Sequence, residues 1–171
     1  QIRNMGTIGG NVCNGVTSAG TASTLMALAA QMHVKGPDGW RIIPIGAWYQ
    51  GVGKVALAHD ELLMQIVIPK AHYAGWSGHY IKYAQRNAMD IATTGCSVNV
   101  VLSEDKKTIV RARIAYGVAG PVPMRAPSAE AQANGRPVCR ETVDAFAQAV
   151  LQDIHPRDSW RASKAFREHI A

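Results

Sequence analysis

The chain has 171 residues, of which 47% are hydrophobic, and carries a formal net charge of +6. That length holds one good core or two small ones, and no apolar run reaches the ~20 residues that a membrane-spanning helix needs. The three cysteines, Cys13, Cys96 and Cys139, lie far apart with no CxxC pair, which excludes a disulfide framework and a self-contained [2Fe–2S] site and fits a cytoplasmic protein.

The chain opens on Gln1-Ile2-Arg3-Asn4-Met5-Gly6-Thr7-Ile8-Gly9-Gly10-Asn11, with no initiator Met and no signal peptide, and reads as part of a longer protein. Glycine lacks a Cβ, so a backbone rich in it approaches a ligand closely. Successive N–H groups in such a turn converge on an anion. A small-residue run follows, and then Thr21 to Gln31 reads as a buried helix whose N-terminus adds positive potential. From local features, a phosphate-binding loop and a plain turn both remain open.

Met32 to Lys35 and Arg41 to Ile45 flank the turn signal Gly36-Pro37-Asp38-Gly39 and predict a hairpin. Gly46 to Lys54 reads as loop, Glu61 to Ile68 as a strand that Pro69 ends, and His72 to Gly78 as a linker. Strands are expected at Tyr80 to Tyr83, Cys96 to Ser103 and Thr108 to Val118, with a turn over Ser103-Glu104-Asp105-Lys106. The last of these strands alternates arginines with apolar residues, the pattern of an antiparallel strand with one wet face. Ser128 to Ala133 predicts a short helix. Glu141 to Asp153 predicts a longer one, with an apolar stripe at Val143, Phe146, Ala147 and Val150. Ser159 is placed to cap a final helix, with Trp160 and Phe166 turned inward. The sum is an α+β fold of antiparallel strands with packed helices.

Most local motifs carry no chemistry. Gly51-Val52-Gly53-Lys54 lacks both the leading Gly and the trailing Ser or Thr of a P-loop, where Trp48 and Val55 stand. No GxGxxG occurs, and the six histidines show no metal-ligand spacing. The basic residues are dispersed, which reads first as solvated faces and second as docking to acidic partner subunits. Without aromatics interleaved among them, they do not read as a nucleic-acid surface. On residues alone, Lys82 is a strand-end lysine, Leu63 a core residue, and Arg86 with Asp90 an ion pair in a polar loop.

Ile2-Arg3-Asn4-Met5-Gly6-Thr7-Ile8-Gly9-Gly10-Asn11 resembles the second FAD-binding segment, IRN-x-x-T-x-GGN, of the molybdenum hydroxylase flavoproteins. That family includes the FAD subunits of bacterial xanthine dehydrogenases and the medium subunits of carbon monoxide dehydrogenases. Asp60-Glu61-Leu62-Leu63 before Ile66-Val67-Ile68-Pro69 is similar to the family's DE-I/L-L strand. Tyr80-Ile81-Lys82-Tyr83-Ala84-Gln85-Arg86 with Asp90-Ile91-Ala92 is similar to its F/Y-x-K-x-x-x-R-x-x-x-D-I-A segment. Ala112 to Pro121 and Ser159-Trp160-Arg161-Ala162-Ser163 resemble later family segments in order, and the best fit is to the xanthine dehydrogenase type.

The resemblance implies the second half of a two-subdomain FAD-binding (PCMH-type) domain over residues 1–71. An α+β C-terminal domain with an antiparallel sheet and packed helices follows over 72–171. It implies FAD as cofactor, with Gly9, Gly10 and Asn11 offering backbone donors to the pyrophosphate and Thr7 and Ile8 shaping the turn. Leu63 then lies against the isoalloxazine, Lys82 supplies charge near the flavin, and Asp90 sits with Arg86 in a loop beside the face that NAD approaches. No residue need act as a general acid or base, and no metal is held by this chain. Partner subunits carry molybdopterin and the [2Fe–2S] clusters, and electrons leave through FAD to NAD, with no nucleic acid or membrane involved.

Two departures stand against this. Gly20 replaces the Asp that the family usually carries nine residues after the Asn of GGN, and the family's separate, earlier glycine-rich loop is absent. They support a rival expectation, a non-catalytic fragment or interaction domain that binds no FAD on its own.

Overall fold

The computed structural model describes residues 2–171, with side chains from Asn4 onward. Gln1 and the side chains of Ile2 and Arg3, which open the glycine-rich run, lie outside the described residues. The run itself is helical rather than a turn: α1 spans Ile2–Met5 and α2 spans Ile8–Cys13. Thr7 makes the difference. Its extended backbone and its Oγ1, which accepts the Gly10 N–H at 2.9 Å, form an N-cap that turns a flexible stretch into a first helical turn. Gly15 ends it at φ +67, where an added Cβ would sit 2.9 Å from the Lys54 nitrogen.

Helix α3 (Ala22–Ala27) is shorter than the predicted 21–31, because Ala29 turns into the left-handed region (φ 46) and Gln31 already enters a strand. The hairpin forms as expected, from β1 (Gln31–Gly36) and β2 (Gly39–Pro44). The expected loop at 46–54 instead holds α4 (Ile45–Trp48) and a small ribbon of β3 (Tyr49–Gly51) and β4 (Lys54–Val55). Trp48 explains that ordering. It is fully buried, and its indole N–H donates to the Val12 carbonyl at 3.2 Å, tying α4 under α2. Strand β5 (Leu62–Val67) pairs with β1 and completes a three-stranded sheet, β2-β1-β5. Met32, Val34 and Ile43 of this sheet share a core with Val12, Leu25, Met26 and Trp48.

After a 3₁₀ turn at Lys70–His72, a second sheet is built from β6 (Ser77–Tyr83), β7 (Thr94–Leu102) and β8 (Thr108–Gly117). β9 (Met124–Arg125) and β10 (Arg136–Pro137) add to β8, giving five antiparallel strands. One face, including Ile114 and Tyr116, packs on α5 (Pro127–Ala133) and α6 (Arg140–Ala149). The predicted wet face is a correction. Arg113 and Ala115 are buried there because α3 lies across β7 and β8, so these two strands are covered on both sides, while β6 stays largely exposed. Polar residues on that face serve the contact, as Ser97 Oγ pairs with Thr24 Oγ1 at 2.8 Å.

Helix α6 also buries a different stripe. Val143 is exposed, whereas Thr142, Ala149 and Val150 are buried and Phe146 is half-buried. The helix is rotated so that Phe146 reaches both cores beneath α5. The final helix, α7, spans Lys164–Ile170 and is capped by Ser163, whose Oγ accepts the Phe166 N–H at 3.2 Å; Ser159 does not cap it. Trp160 and Phe166 do not turn inward. Trp160 is 80% exposed and Phe166 stacks edge-on against Tyr83 at the surface.

Candidate cofactor site

The Thr7 cap decides which backbone donors are free. Gly10 N–H is taken by Thr7 Oγ1, and Asn11 N–H bonds to the Thr7 carbonyl at 3.0 Å. The N–H groups of Ile8 and Gly9 precede the first intrahelical bond and have no acceptor within the helix. Among the described residues, a Cβ added at Gly9 would meet nothing within 4 Å. The residues fit an anionic group arriving there, with Ile8 and Gly9 donating and Gly10 and Asn11 holding the turn.

The Asn11 side chain works inward. Its Oδ1 accepts from the Thr21 hydroxyl at 2.6 Å and from the Thr21 N–H at 3.2 Å, which docks the start of α3 beside α2. Thr21 therefore gives α3 no side-chain cap. Gly20, just before it, is exposed with open space around its Cβ position, so no structural clash dictates the loss of the family's Asp. Leu63 lies on β5, the strand nearest α2, where it is half-buried against the first core and opposite Val34.

Lys82 and Asp90 form a second group. Lys82 Nζ donates to the Asp90 carbonyl at 2.5 Å, closing the loop that leaves β6. The Asp90 carboxylate accepts the N–H of Gln85 at 2.6 Å and of Arg86 at 3.1 Å. Desolvation pushes its pKa up, but the backbone N–H bonds from Gln85, Arg86 and Ile91 outweigh that and hold it below the usual range. The expected ion pair with Arg86 is replaced: the guanidinium bonds the Met89 carbonyl, and Met89 itself sits at φ 50.

The two groups meet through the sheet rather than by contact. Lys82, Gly95 and Gly117 lie side by side across β6, β7 and β8. At the end of that row, the Val118 N–H donates to the Thr17 carbonyl at 3.2 Å and the Thr17 hydroxyl donates to the Gly120 carbonyl at 3.1 Å. A Cβ on Gly117 would come within 2.9 Å of the Thr17 carbonyl. The α2–α3 loop is thus stitched to the sheet end that carries Lys82. Sequence reading passed over Thr17 and Thr21; a run of Asn, Ser and Thr directly after a glycine-rich segment was the available signal.

Arg113 is a further residue that the sequence left on a wet face. It donates to the Ala27 carbonyl at the end of α3 (3.3 Å) and to His72 Nδ1 (2.8 Å), and its guanidinium lies 4.5 Å from the centre of the Trp76 ring. Among the described residues, no group of three His, Cys, Asp or Glu side chains is gathered as a metal site, and no helix is long and apolar enough to cross a membrane.

Comparison with known proteins gives this arrangement a family. Residues 1–71 match the FAD binding domain in molybdopterin dehydrogenase, and residues 79–171 match the CO dehydrogenase flavoprotein C-terminal domain. The chain is 45% identical to the putative xanthine dehydrogenase FAD-binding subunit of Escherichia coli K12, over 99% of its own length and 58% of that protein. It is 28% identical to the carbon monoxide dehydrogenase medium chain of Hydrogenophaga pseudoflava, over 100% of its length and 58% of the relative. The solved carbon monoxide dehydrogenase from that organism superposes with a TM-score of 0.91 at 30% identity, covering 99% of this chain and 58% of the other. The chain therefore spans a little over half the length of the relatives it matches. It belongs to the family of FAD-binding flavoprotein subunits formed by xanthine dehydrogenase FAD subunits and carbon monoxide dehydrogenase medium chains.

Proposed function

We propose that this chain is part of the electron-transfer flavoprotein of a xanthine dehydrogenase-type molybdenum hydroxylase. In this reading electrons reach FAD from [2Fe–2S] clusters in a partner subunit, which are fed by a molybdopterin subunit, and leave to NAD. The observation that carries it is the stitching of α2 and its free N–H groups to the sheet end bearing Lys82. Likeness to the xanthine dehydrogenase subunit over 99% of the chain supports it. The rival reading, an interaction domain that binds no flavin, has only Gly20 behind it.

Bound FAD supplies the redox chemistry, and the protein supplies placement and electrostatics. Ile8 and Gly9 N–H groups bind the pyrophosphate, Thr7 and Gly10 fix their direction, and Asn11 anchors the turn to Thr21. Leu63 offers an apolar surface to the ring system. The Lys82 ammonium would add positive charge near the bound ring system and so favour its reduced, anionic form, and Asp90 holds the neighbouring loop through its backbone bonds. No side chain is asked to move a proton. The domains divide near residue 71, within the 3₁₀ turn at Lys70–His72 that precedes β6.

The test is an anaerobic cycle on the flavoprotein assembled with its molybdenum and iron–sulfur subunits. Xanthine should bleach the absorbance near 450 nm, and NAD should restore it. Bleaching that only a dye reverses would overturn the assignment of NAD. A complex with no 450 nm band would overturn the flavin reading itself.

A further inference from the structure

We infer that Arg167 is a positioning residue for Lys82: from α7 it fixes the base of the 84–93 loop, and the Asp90 carbonyl in that loop fixes the Lys82 ammonium. The inference rests on the flavin reading above, in which Lys82 supplies charge near the ring system, and names what sets the place of that charge.

The loop closes on itself but does not place itself. Its ends meet where the Thr93 N–H donates to the Tyr83 carbonyl at 2.8 Å. Inside it, the Asp90 carboxylate accepts the N–H groups of Gln85 and Arg86, and Arg86 bonds the Met89 carbonyl. Lys82 Nζ reaches in from β6 to the Asp90 carbonyl at 2.5 Å. Among the described residues, two hydrogen bonds join this loop to anything beyond its flanking strands, and both lead to the C-terminal segment. At the surface, Gln85 Nε2 donates to the Arg161 carbonyl at 3.1 Å. In the interior, Arg167 Nε donates to the Thr93 carbonyl at 3.2 Å, with Thr93 1% and Arg167 4% exposed.

The three nitrogens of Arg167 take three different stretches of chain: Nε the Thr93 carbonyl, Nη1 the Arg157 carbonyl, and Nη2 the Ser159 hydroxyl oxygen at 2.8 Å. None of these acceptors is charged. Burial, and then the Arg157 cation, work against the guanidinium, and Asp158 offsets only part of that. An apolar side chain in place of a buried charge is often neutral or stabilising, so filling this space does not call for arginine. What arginine supplies is a rigid planar fork that sets the directions of several bonds at once. Its mount is itself anchored. Ser163 Oγ accepts the Phe166 N–H at 3.2 Å, and Asp158 Oδ1 accepts the Lys164 N–H at 2.7 Å, which together fix the start of α7. Phe166 meets Tyr83 edge-on, with ring centres 5.7 Å apart, so α7 holds the end of β6 beside Lys82 as well as the loop. A continuous path of contacts thus runs from Arg167 through Thr93 and the closed loop to Asp90 and the Lys82 ammonium.

The test is a double-mutant cycle on the flavin midpoint potential, read by spectroelectrochemical titration of the assembled, flavin-loaded protein. Arg167→Met keeps an apolar stem and should lower the potential in the same direction as Lys82→Ala, by no more than that change does. Added to Lys82→Ala, it should move the potential no further, because the ammonium that it places is gone. Arg167→Lys keeps the charge but offers one nitrogen where arginine offers three, so it too should lower the potential. It decides the matter if Arg167→Met fails to assemble. A parent-like potential in Arg167→Lys would overturn the inference, since charge without the fork would then suffice. Equal shifts from Arg167→Met in the parent and in Lys82→Ala would also overturn it, because Arg167 would then act independently of Lys82. Unchanged potentials in both Arg167 variants, beside a clear shift in Lys82→Ala, would overturn it and leave the flavin reading standing. A parent with no 450 nm band would overturn the flavin reading and this inference with it.

Discussion

Arg113→Ala should destabilise the junction between the two sheets by about 2–4 kcal/mol. The guanidinium is 6% exposed and bridges three elements: the end of α3, the turn at His72 and β8. A hydrogen bond to a charged group contributes ~1.5–3 kcal/mol, and the contact to His72 Nδ1 at 2.8 Å belongs in that range. The bond to Ala27 is long at 3.3 Å and contributes less. Stacking on Trp76 at 4.5 Å adds ~0.5–2 kcal/mol. Against these stands the desolvation of a cation, and the neighbouring Arg125 and Arg111 add repulsion that Glu130 only partly offsets. The contacts exceed that cost because two of them are close and well placed. Urea unfolding of parent and variant, with midpoint and slope both recorded, measures the difference. Arg113→Met is the informative companion: it keeps apolar volume against Trp76 without the charge and should lose less. Removing the cation should also raise the His72 pKa partway toward its ordinary value, since burial is the larger cause of its depression and Arg113 the next. A change below ~0.5 kcal/mol, with His72 titrating as before, would show that desolvation cancels the contacts and that this cluster does not hold the junction.

Gly9→Val, introduced into the flavin-loaded protein, should abolish the 450 nm band while leaving the melting temperature within a few degrees, because the added side chain enters open space that only a ligand needs. Lys82→Ala should lower the flavin midpoint potential. Two unit charges ~6 Å apart at an effective dielectric of ~20 interact by roughly 3 kcal/mol before screening, and a third of that is visible in a spectroelectrochemical titration. The junction should weaken with acid. The folded-state pKa of His72 is depressed below 6.5, so the unfolded chain takes up the proton first and stability falls as pH drops from about 6.5 through the folded value. Urea midpoints between pH 8 and pH 5 should show this slope, and His72→Gln should remove its share.

The hairpin at Gly36–Gly39, β5 and the three long strands of the second sheet were legible because each rests on local information: alternation, a turn signal, a proline. What the sequence did not disclose depends on what covers a face. Arg113 has the spacing of a solvent-facing arginine, and only the arrival of α3 across β7 and β8 turns that face into an interior. Val143 and Trp160 were read as inward on the assumption that apolar means buried, yet α6 is rotated by its packing with α5 and Trp160 lies 80% exposed on a turn whose Ser159 hydroxyl accepts from Arg167. The site followed the same division. Local pattern left the glycine-rich run open between an anion-binding loop and a plain turn, and Leu63, Lys82 and Asp90 were marked by resemblance alone. The structure adds the linkage through Asn11, Thr21 and Thr17, which no periodicity encodes because it joins residues up to 103 positions apart. Small polar residues following a glycine-rich turn carry weak propensity, but they are the type that can satisfy backbone groups where two units meet without burying charge. In this chain, that role sets the position of the α2 donors relative to Lys82. Affinity for the cofactor should therefore respond to Thr17 and Thr21.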